Sequence, residues 1–378
     1  MSLTSRARRW GLATVAVGGA ALSLWWVTTE PRRSERQAIQ RGRDDILRGR
    51  PDLALRTADQ VIRSGSKSAD ALTVKGLALA SLDRPEDAQE ILKRSLAIRP
   101  NQPIALKVLA ATYFNSSDVE LGIAALREAA KFDPADYRPW FALGDAYDQL
   151  NQPGEAASSY RQALLRKPDD GETRLRLVAA LLETNEADAA TLLLDELLRD
   201  RPGDPQIAYL DAQRAWALGR SDDAARSIER ALAIAPDHCD ALILRSKLCQ
   251  LNGRLDGALA DAERAAALNR SDLEILNQLC LLEAALGLKD RAATTSARRQ
   301  RVTEIRTRMQ ELTKETQARP DDPGPRWRLG RAAAELGAAP LALRCYRAAL
   351  HLDPRCQPAL LGLAELGAPR WPVPSRAP

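Results

Sequence analysis

The side chains of this 378-residue chain that could do chemistry are five cysteines, two histidines and a few adjacent acid pairs. Cys239, Cys249, Cys280, Cys345 and Cys356 include no Cys-x-x-Cys pair, so no thiolate metal knuckle or redox couple can form locally. Cys249 and Cys280 read as inert thiols at small buried positions rather than as a disulfide. His238 and His351 are too few and too isolated for a His-based metal site or a catalytic triad, and both read as surface residues. No Gly-rich phosphate loop, His-Glu-x-x-His or Gly-x-Ser-x-Gly is present. Asp169-Asp170, Asp222-Asp223 and Asp321-Asp322 could in principle work as acid and base. Each pair falls at a turn or at the start of a helical stretch, where carboxylates cap the helix and complement its dipole. The chain is therefore expected to be no enzyme, with no catalytic residue, metal or cofactor and no small-molecule substrate.

The net charge of +5 does not signal nucleic acid once it is located. Residues 1–50 hold ten arginines against Glu30, Glu35, Asp44 and Asp45, and the rest of the chain is close to neutral. Aromatic residues are only 4 %, against 45 % hydrophobic residues in all, so the core must be built from aliphatic and small side chains, as stacked helices allow.

Residues 1–9 form a basic N-tail. Trp10 to Thr29 follows, twenty residues without a charge. As a helix this stretch is about 30 Å long, the thickness of the hydrocarbon layer, and Trp10, Trp25 and Trp26 stand near its ends as interfacial residues do. It is expected to be a transmembrane anchor, ended by a short linker at 30–34. The rival reading is a cleaved signal peptide with Gly18-x-Ala20 at the cut, but the apolar run continues through Leu22, Leu24 and Val27. Counting arginines on either side favours a cytoplasmic bulk; the nine-residue basic tail, which crosses a membrane poorly, favours the opposite. The expectation adopted is a single-pass membrane protein with its bulk outside the cytoplasm, on the periplasmic side.

Beyond the linker one period organises the chain. Pro100, Pro134, Pro168, Pro202 and Pro236 recur every 34 residues, and Pro320 and Pro354 are again 34 apart. Twelve residues before each phase position lies Ala54, Ala88, Gly122, Ala156, Ala190, Ala224, Ala258, Ala292 or Ala342. Residues this small are what two helices need where their axes approach closely. Self-similarity at this period predicts an all-α solenoid of helix hairpins, each able to bury its apolar face only against the next. In unit 137–170 the first helix should run to about Leu150, Asn151 to Gly154 should turn, and Glu155 to Arg166 should form the second helix.

In that unit Trp140, Leu143, Gly144, Tyr147, Ala156, Tyr160, Ala163 and Pro168 occupy positions 4, 7, 8, 11, 20, 24, 27 and 32. This resembles the tetratricopeptide repeat (TPR) family at all eight of its signature positions. Unit 323–356 matches at Leu329, Gly330, Ala342, Tyr346, Ala349 and Pro354, whereas unit 205–238 departs with Asp211 and Ala212. The resemblance implies a right-handed superhelical solenoid over 35–367, about nine units plus a closing helix from about 357, with a Pro-rich disordered tail at 368–378. It also implies a concave groove lined by the first helices, where peptide contacts come from positions 2, 5, 6, 9, 12 and 13. Position 5 holds Phe141, Leu175, Tyr209, Ile243 and Trp327, and position 12 holds Phe114, Leu182 and Trp216. These eight residues are the expected partner-binding set, and Phe141, Tyr209, Trp216 and Ile243 should face one continuous surface, bridged by Leu175 and Leu182. Lys107, Asp145, Asp148, Arg176, Glu183 and Lys247 would orient the ligand. The packing alternative, that these side chains fill space between neighbouring helices, stays open. The set of Lys, Asn and Arg with which some members clamp chaperone C-termini is missing, since Ala111 and Ala142 break it.

One interval departs from the period: units start at 273 and 323, a spacing of 50 residues rather than 34. Residues 288–318 contain no Gly or Pro and read as one helix, about 45 Å long. Val302, Ile305, Met309 and Leu312 form an apolar stripe on it, with Arg298, Arg299, Arg301, Arg306 and Arg308 on the other faces. Either the next unit covers the stripe, or the helix is an arm for a partner or for self-association. The function expected is a membrane-anchored scaffold for protein–protein interaction or assembly of an envelope complex. The alternatives are a cytoplasm-facing adaptor and a non-catalytic subunit of an envelope glycan or polysaccharide enzyme.

Overall fold

The structure is a computed structural model and describes residues 33–116 and 118–368. The expected N-tail, the anchor at 10–29, the first part of the linker and residues 369–378 lie outside the described residues. Among those described, no helix is long and apolar enough to cross a membrane. Helix α1 spans 33–47, so it begins inside the stretch expected as linker. Then come α2 (Pro51–Arg63), α3 (Ala69–Ser81), α4 (Pro85–Ile98), α5 (Pro103–Asn115), α6 (Val119–Phe132), α7 (Arg138–Gln149), α8 (Pro153–Leu164) and α9 (Gly171–Glu183). They continue as α10 (Ala187–Asp200), α11 (Pro205–Ala217), α12 (Ser221–Ile234), α13 (Cys239–Leu251), α14 (Leu255–Leu268) and α15 (Leu273–Ala285). The last are α16 (Lys289–Ala318), α17 (Pro323–Glu335), α18 (Ala339–Leu352) and α19 (Gln357–Glu365).

Two local devices, each repeating at 34 residues, produce these hairpins. The first ends the leading helix of a pair. Asp83, Asn151, Asn185, Gly219, Gly253 and Gly287 all have φ between +56° and +73°. A left-handed residue reverses the chain, and Gly, Asn and Asp take that conformation at least cost. The next amide then bonds back five residues, as Gln152 N does to Tyr147 O (2.9 Å) and Arg220 N to Ala215 O (2.8 Å). The second helix starts at once. In unit 137–170 it begins at Pro153 rather than Glu155, because proline fits the first helical turn, where its missing N–H is no loss. The second device opens the leading helix. Ser68, Asp170, Asp204, His238, Asp272 and Asp322 accept a backbone N–H with their side chains. Asp170 and Asp322, members of the sequence's acid pairs, are thus caps.

Within a hairpin a small residue admits a large one. A Cβ on Gly144 would lie 2.3 Å from the Tyr160 ring, and one on Gly330 would lie 2.8 Å from Tyr346. Ala156, Ala190, Ala224, Ala258 and Ala342 are completely buried at the closest helix approaches. Two compact units result, one ending at Thr112 and one beginning at Tyr113. In the first, Ile39, Ala54, Ala58, Val61, Val74 and Ala78 form one core cluster. The buried Thr73, Ser95 and Gln102 satisfy one another there by hydrogen bonds of 2.8–3.0 Å.

In the second unit α16 is one uninterrupted helix of 30 residues. Its stripe is covered inside the chain: Ile305 and Leu312 are buried with Leu329, Ala332 and Cys345 of α17 and α18, and Met309 packs beside them. Val302 is buried too. Self-association through this helix therefore lacks the apolar face the sequence suggested. Four of the five arginines bond within the chain, Arg299 among them through Asn277. Arg298 and Arg306 donate to the carbonyls of Arg270 and Ser271, and Arg308 pairs with Glu335. The five cysteines are free; Cys345 and Cys356 are buried, whereas Cys249 and Cys280 are only half-buried.

Candidate functional site

In the second unit the leading helices touch one another: α9 meets α11, α11 meets α13 and α13 meets α15. The trailing helices α10, α12 and α14 make no contact of that extent with one another. The leading helices therefore form the inner layer, and a cavity of about 440 Å³ opens on it. Residues at i, i+4 and i+7 share a helix face, which brings Tyr209, Gln213 and Trp216 of α11 into one wall. Asp240, Ile243, Leu244 and Lys247 of α13 form the facing wall by the same spacing. Leu182 and Glu183 of α9 close one end, and Asp272, Glu274 and Ile275 at the start of α15 close the other.

The floor is fixed by packing. Ile243 is 4 % exposed and belongs to the core formed with Ala212, Ile228 and Leu248, on which Tyr209 and Trp216 are half-buried. His238 holds Tyr209 in place: the rings lie 5.1 Å apart and tilted by 38°. The His238 Nδ1 accepts from Ala241 N, so in the neutral ring Nε2 carries the proton and faces Gln206 Oε1 at 3.0 Å.

The walls are acidic. Glu183, Asp240, Asp272 and Glu274 face a single lysine, Lys247, whose Nζ is bound to Glu274. Asp272 already accepts two backbone amides as the α15 cap. Asp240 and Glu183 are reached by water yet crowded by the walls. Desolvation raises the Asp240 carboxyl above its ordinary range, offset in part by His238 and reinforced by Glu274 and Asp272. Desolvation, then the charge of Asp148, raises Glu183 likewise. Burial, then the charges of Asp240, Glu274 and Glu183, pushes the Tyr209 phenol upward, so it stays neutral. One helix pair away, the Tyr160 hydroxyl lies 2.8 Å from Asp145 and 2.6 Å from Asp148. One proton cannot serve both carboxylates fully, and desolvation raises Asp148.

Four of the eight residues expected at the groove, Leu182, Tyr209, Trp216 and Ile243, line this cavity. Leu175 is half-buried on α9 outside the lining. Phe141 packs on Tyr160, ring centroids 5.8 Å apart. Phe114 turns inward over Gly122 of its own hairpin, where a Cβ would come within 2.5 Å of the ring. Trp327 packs beside the core of the last hairpins around Tyr346. Asp240, Gln213 and Glu274 were not singled out from the sequence, although they stand at positions 2 and 9, within the contact set the resemblance implied.

A second cavity, of about 810 Å³, lies where the period breaks, between α14, α16 and α17. Val302, Ile305 and Leu336 are among its apolar lining, and Arg270, Arg291, Arg298 and Arg301 are its cations.

Stacked hairpins with a lined inner face define a helical-repeat binding protein. Tetratricopeptide repeat family models match residues 39–103, 107–168 and 209–272, and a further one matches 149–213. The chain belongs to the tetratricopeptide repeat family. It is 30 % identical over 176 residues to human tetratricopeptide repeat protein 21B, covering 46 % of this chain and 13 % of that protein. It is 26 % identical over 145 residues to the TPR repeat-containing protein YpiA of Bacillus subtilis (strain 168), covering 38 % and 34 %. The matched stretch is thus a minor part of either relative. A solved structure of pilF from Pseudomonas aeruginosa superposes with a TM-score of 0.49 at 18 % identity, covering 57 % of this chain and 99 % of that one.

Proposed function

We propose that this chain is a non-catalytic scaffold that receives a segment of a partner protein in the cavity on α9, α11, α13 and α15. The observation that carries this is the convergence of Leu182, Tyr209, Trp216 and Ile243 on one cavity, open on the inner face. Large apolar side chains around a concavity are the usual anchor sites of a protein interface. The chain is held at a membrane by residues 10–29, with the repeat array outside the cytoplasm, and it assembles an envelope complex. Support for the anchor is the twenty-residue uncharged stretch with tryptophans near its ends.

A photo-crosslinking residue at Gln213 tests the site in cells. It should attach one partner, and Trp216→Ala should abolish the adduct while leaving the helical circular dichroism intact. Unchanged cross-linking in Trp216→Ala would refute the cavity as the docking site. Deleting residues 10–29 should release a folded, soluble array from the membrane fraction. A soluble full-length product beginning near Ala21 would identify a cleaved signal peptide instead.

A further inference from the structure

The buried carboxylates among the described residues of the second unit are matched by arginine. Asp211 is held by Arg214 and Arg230, Asp261 by two bonds of 2.7 Å from Arg245, Glu283 by Arg291, and Asp136 by Arg138. This is the expected arrangement, because a desolvated carboxylate without a cation is costly. The cavity on the inner face is built differently, with Asp240 and Glu183 exposed at its walls and facing a single lysine. Its one lysine is engaged by Glu274, and neither Asp240 nor Glu183 forms an ion pair among the described residues. Both carboxyls are raised, first by desolvation against the walls and then by neighbouring acids, with His238 offsetting part of the shift at Asp240. Tyr209 and Trp216, two turns apart on α11, line the same cavity.

Resting on the reading that this cavity is the docking site, we propose that its occupant is a basic peptide segment. One arginine or lysine of the segment seats against Tyr209 and Trp216 and pairs with Asp240 and Glu183. The four features are complementary to such a side chain. Its methylene stem meets the Leu182 and Ile243 floor, its charged head meets an aromatic face, and its hydrogens meet two unpaired carboxylates. An acidic segment would bring like charges to the walls, and a purely aliphatic one would leave both carboxylates crowded and unpaired. Asp145 and Asp148 extend the acidic surface along α7, so further basic residues in the segment would be accommodated.

The test uses the full chain in detergent micelles and capped ten-residue peptides of one Gly-Ser-Ala background. Each peptide carries three arginines, three leucines or three glutamates, and binding is read by fluorescence anisotropy. The arginine peptide should bind best. Asp240→Asn and Glu183→Gln should each weaken it by about tenfold, whereas Asp188→Asn, in the exposed first turn of α10, should not. Preference for the leucine or glutamate peptide overturns the inference, as does arginine-peptide binding indifferent to Asp240→Asn and Glu183→Gln, or no binding by any peptide. Leucine-peptide binding that is lost in Trp216→Ala would remove the cation while keeping the docking site. Binding that ignores Trp216→Ala for every peptide would remove both.

Discussion

Two cavities of the second unit are made by opposite means. The one on α9 to α15 exists because the period holds: four leading helices present the same face in turn, and side-chain type at fixed positions decides its character. The one between α14, α16 and α17 exists because the period fails. Sixteen extra residues keep the second helix of the hairpin running and force the next hairpin to dock on its far half. The first is acidic and aromatic; the second is basic over an aliphatic floor. Their charged groups also differ in what they do. Arg298 and Arg306 stitch the irregular region by bonding carbonyls of the 269–272 turn, whereas Asp240 and Glu183 in the regular region form no ion pair among the described residues. Charge committed to the fold and charge left over can look alike in sequence. Only the partners tell them apart.

The largest effect that would sharpen this contrast is on stability. Ile305→Ala removes a buried side chain from the seam between α16 and α17, and should cost about 3 kcal/mol. The loss should be read by native-state hydrogen exchange in α17 and α18, because a repeat array need not unfold in one step. If exchange there is unchanged while distant hairpins loosen, the seam is not what holds the last hairpin on.

In binding, the leading effect belongs to the other cavity. Trp216→Ala should cost about 2 kcal/mol of partner affinity, near thirtyfold, with the smaller share of its effect in stability because the ring is only half-buried on its core. Thermal unfolding and affinity measured on one sample decide it. Lost stability with unchanged affinity would make Trp216 mere packing between helices, and the regular cavity would then be no more a site than the irregular one.

How far the sequence could be read follows from the same contrast. The 34-residue phase placed the hairpin turns because each turn needs a residue tolerant of positive φ, as at Asn151 and Gly219, and each leading helix needs a cap, as at Asp204. Tyr209 and Trp216 were legible as two residues of one helix face. Asp240 and Glu274 were not, because an acid in the first turn of a helix is already explained by the helix dipole. Their second role depends on which walls crowd them. Phe114 was misplaced by its phase alone: Gly122 opposite it opens room inside the hairpin, and the ring takes it. The 2.8 Å bond from Gln317 Nε2 to Glu120 Oε2 joins residues 197 apart. It arises from the rotation accumulated over several hairpins, which no local pattern encodes.

A smaller effect checks whether the arginines of the irregular region are structural. Arg306→Ala removes a donor to Ser271 O at 3.0 Å and should cost about 1 kcal/mol. Hydrogen exchange at the start of α15 would report it. Binding of the arginine peptide should not change, since Arg306 is committed to Ser271 O and does not line the acidic cavity. A gain in cationic-peptide affinity on removing this arginine would mean that the two regions share one field, and the contrast between them would weaken.

The smallest effect is a pH dependence that separates folding from binding in the regular cavity. Asp240, Glu183 and Asp148 are all raised by desolvation, the last also beside Asp145 and against the Tyr160 hydroxyl. A carboxyl raised in the folded chain holds its proton at a pH where the unfolded chain has already lost it. Folding is then favoured by protons at these groups. Their contribution is greatest at low pH and is lost as pH climbs through the raised values. Binding of a cation runs the other way, because it needs the ionised form. Lowering pH from 7 to 5 should therefore weaken the arginine peptide by about threefold, starting above the range of an ordinary carboxylate. The free array should not lose stability from these three groups over the same interval. Lys247, engaged by Glu274, lines these walls, His238 stands beside Asp240, and Arg176 acts on Asp148; none of the three reverses the direction. Asp240→Asn with Glu183→Gln should flatten the binding profile. A profile that keeps its slope in that double variant would place the titrating acids elsewhere, and the unpaired carboxylates would not be what the ligand reads.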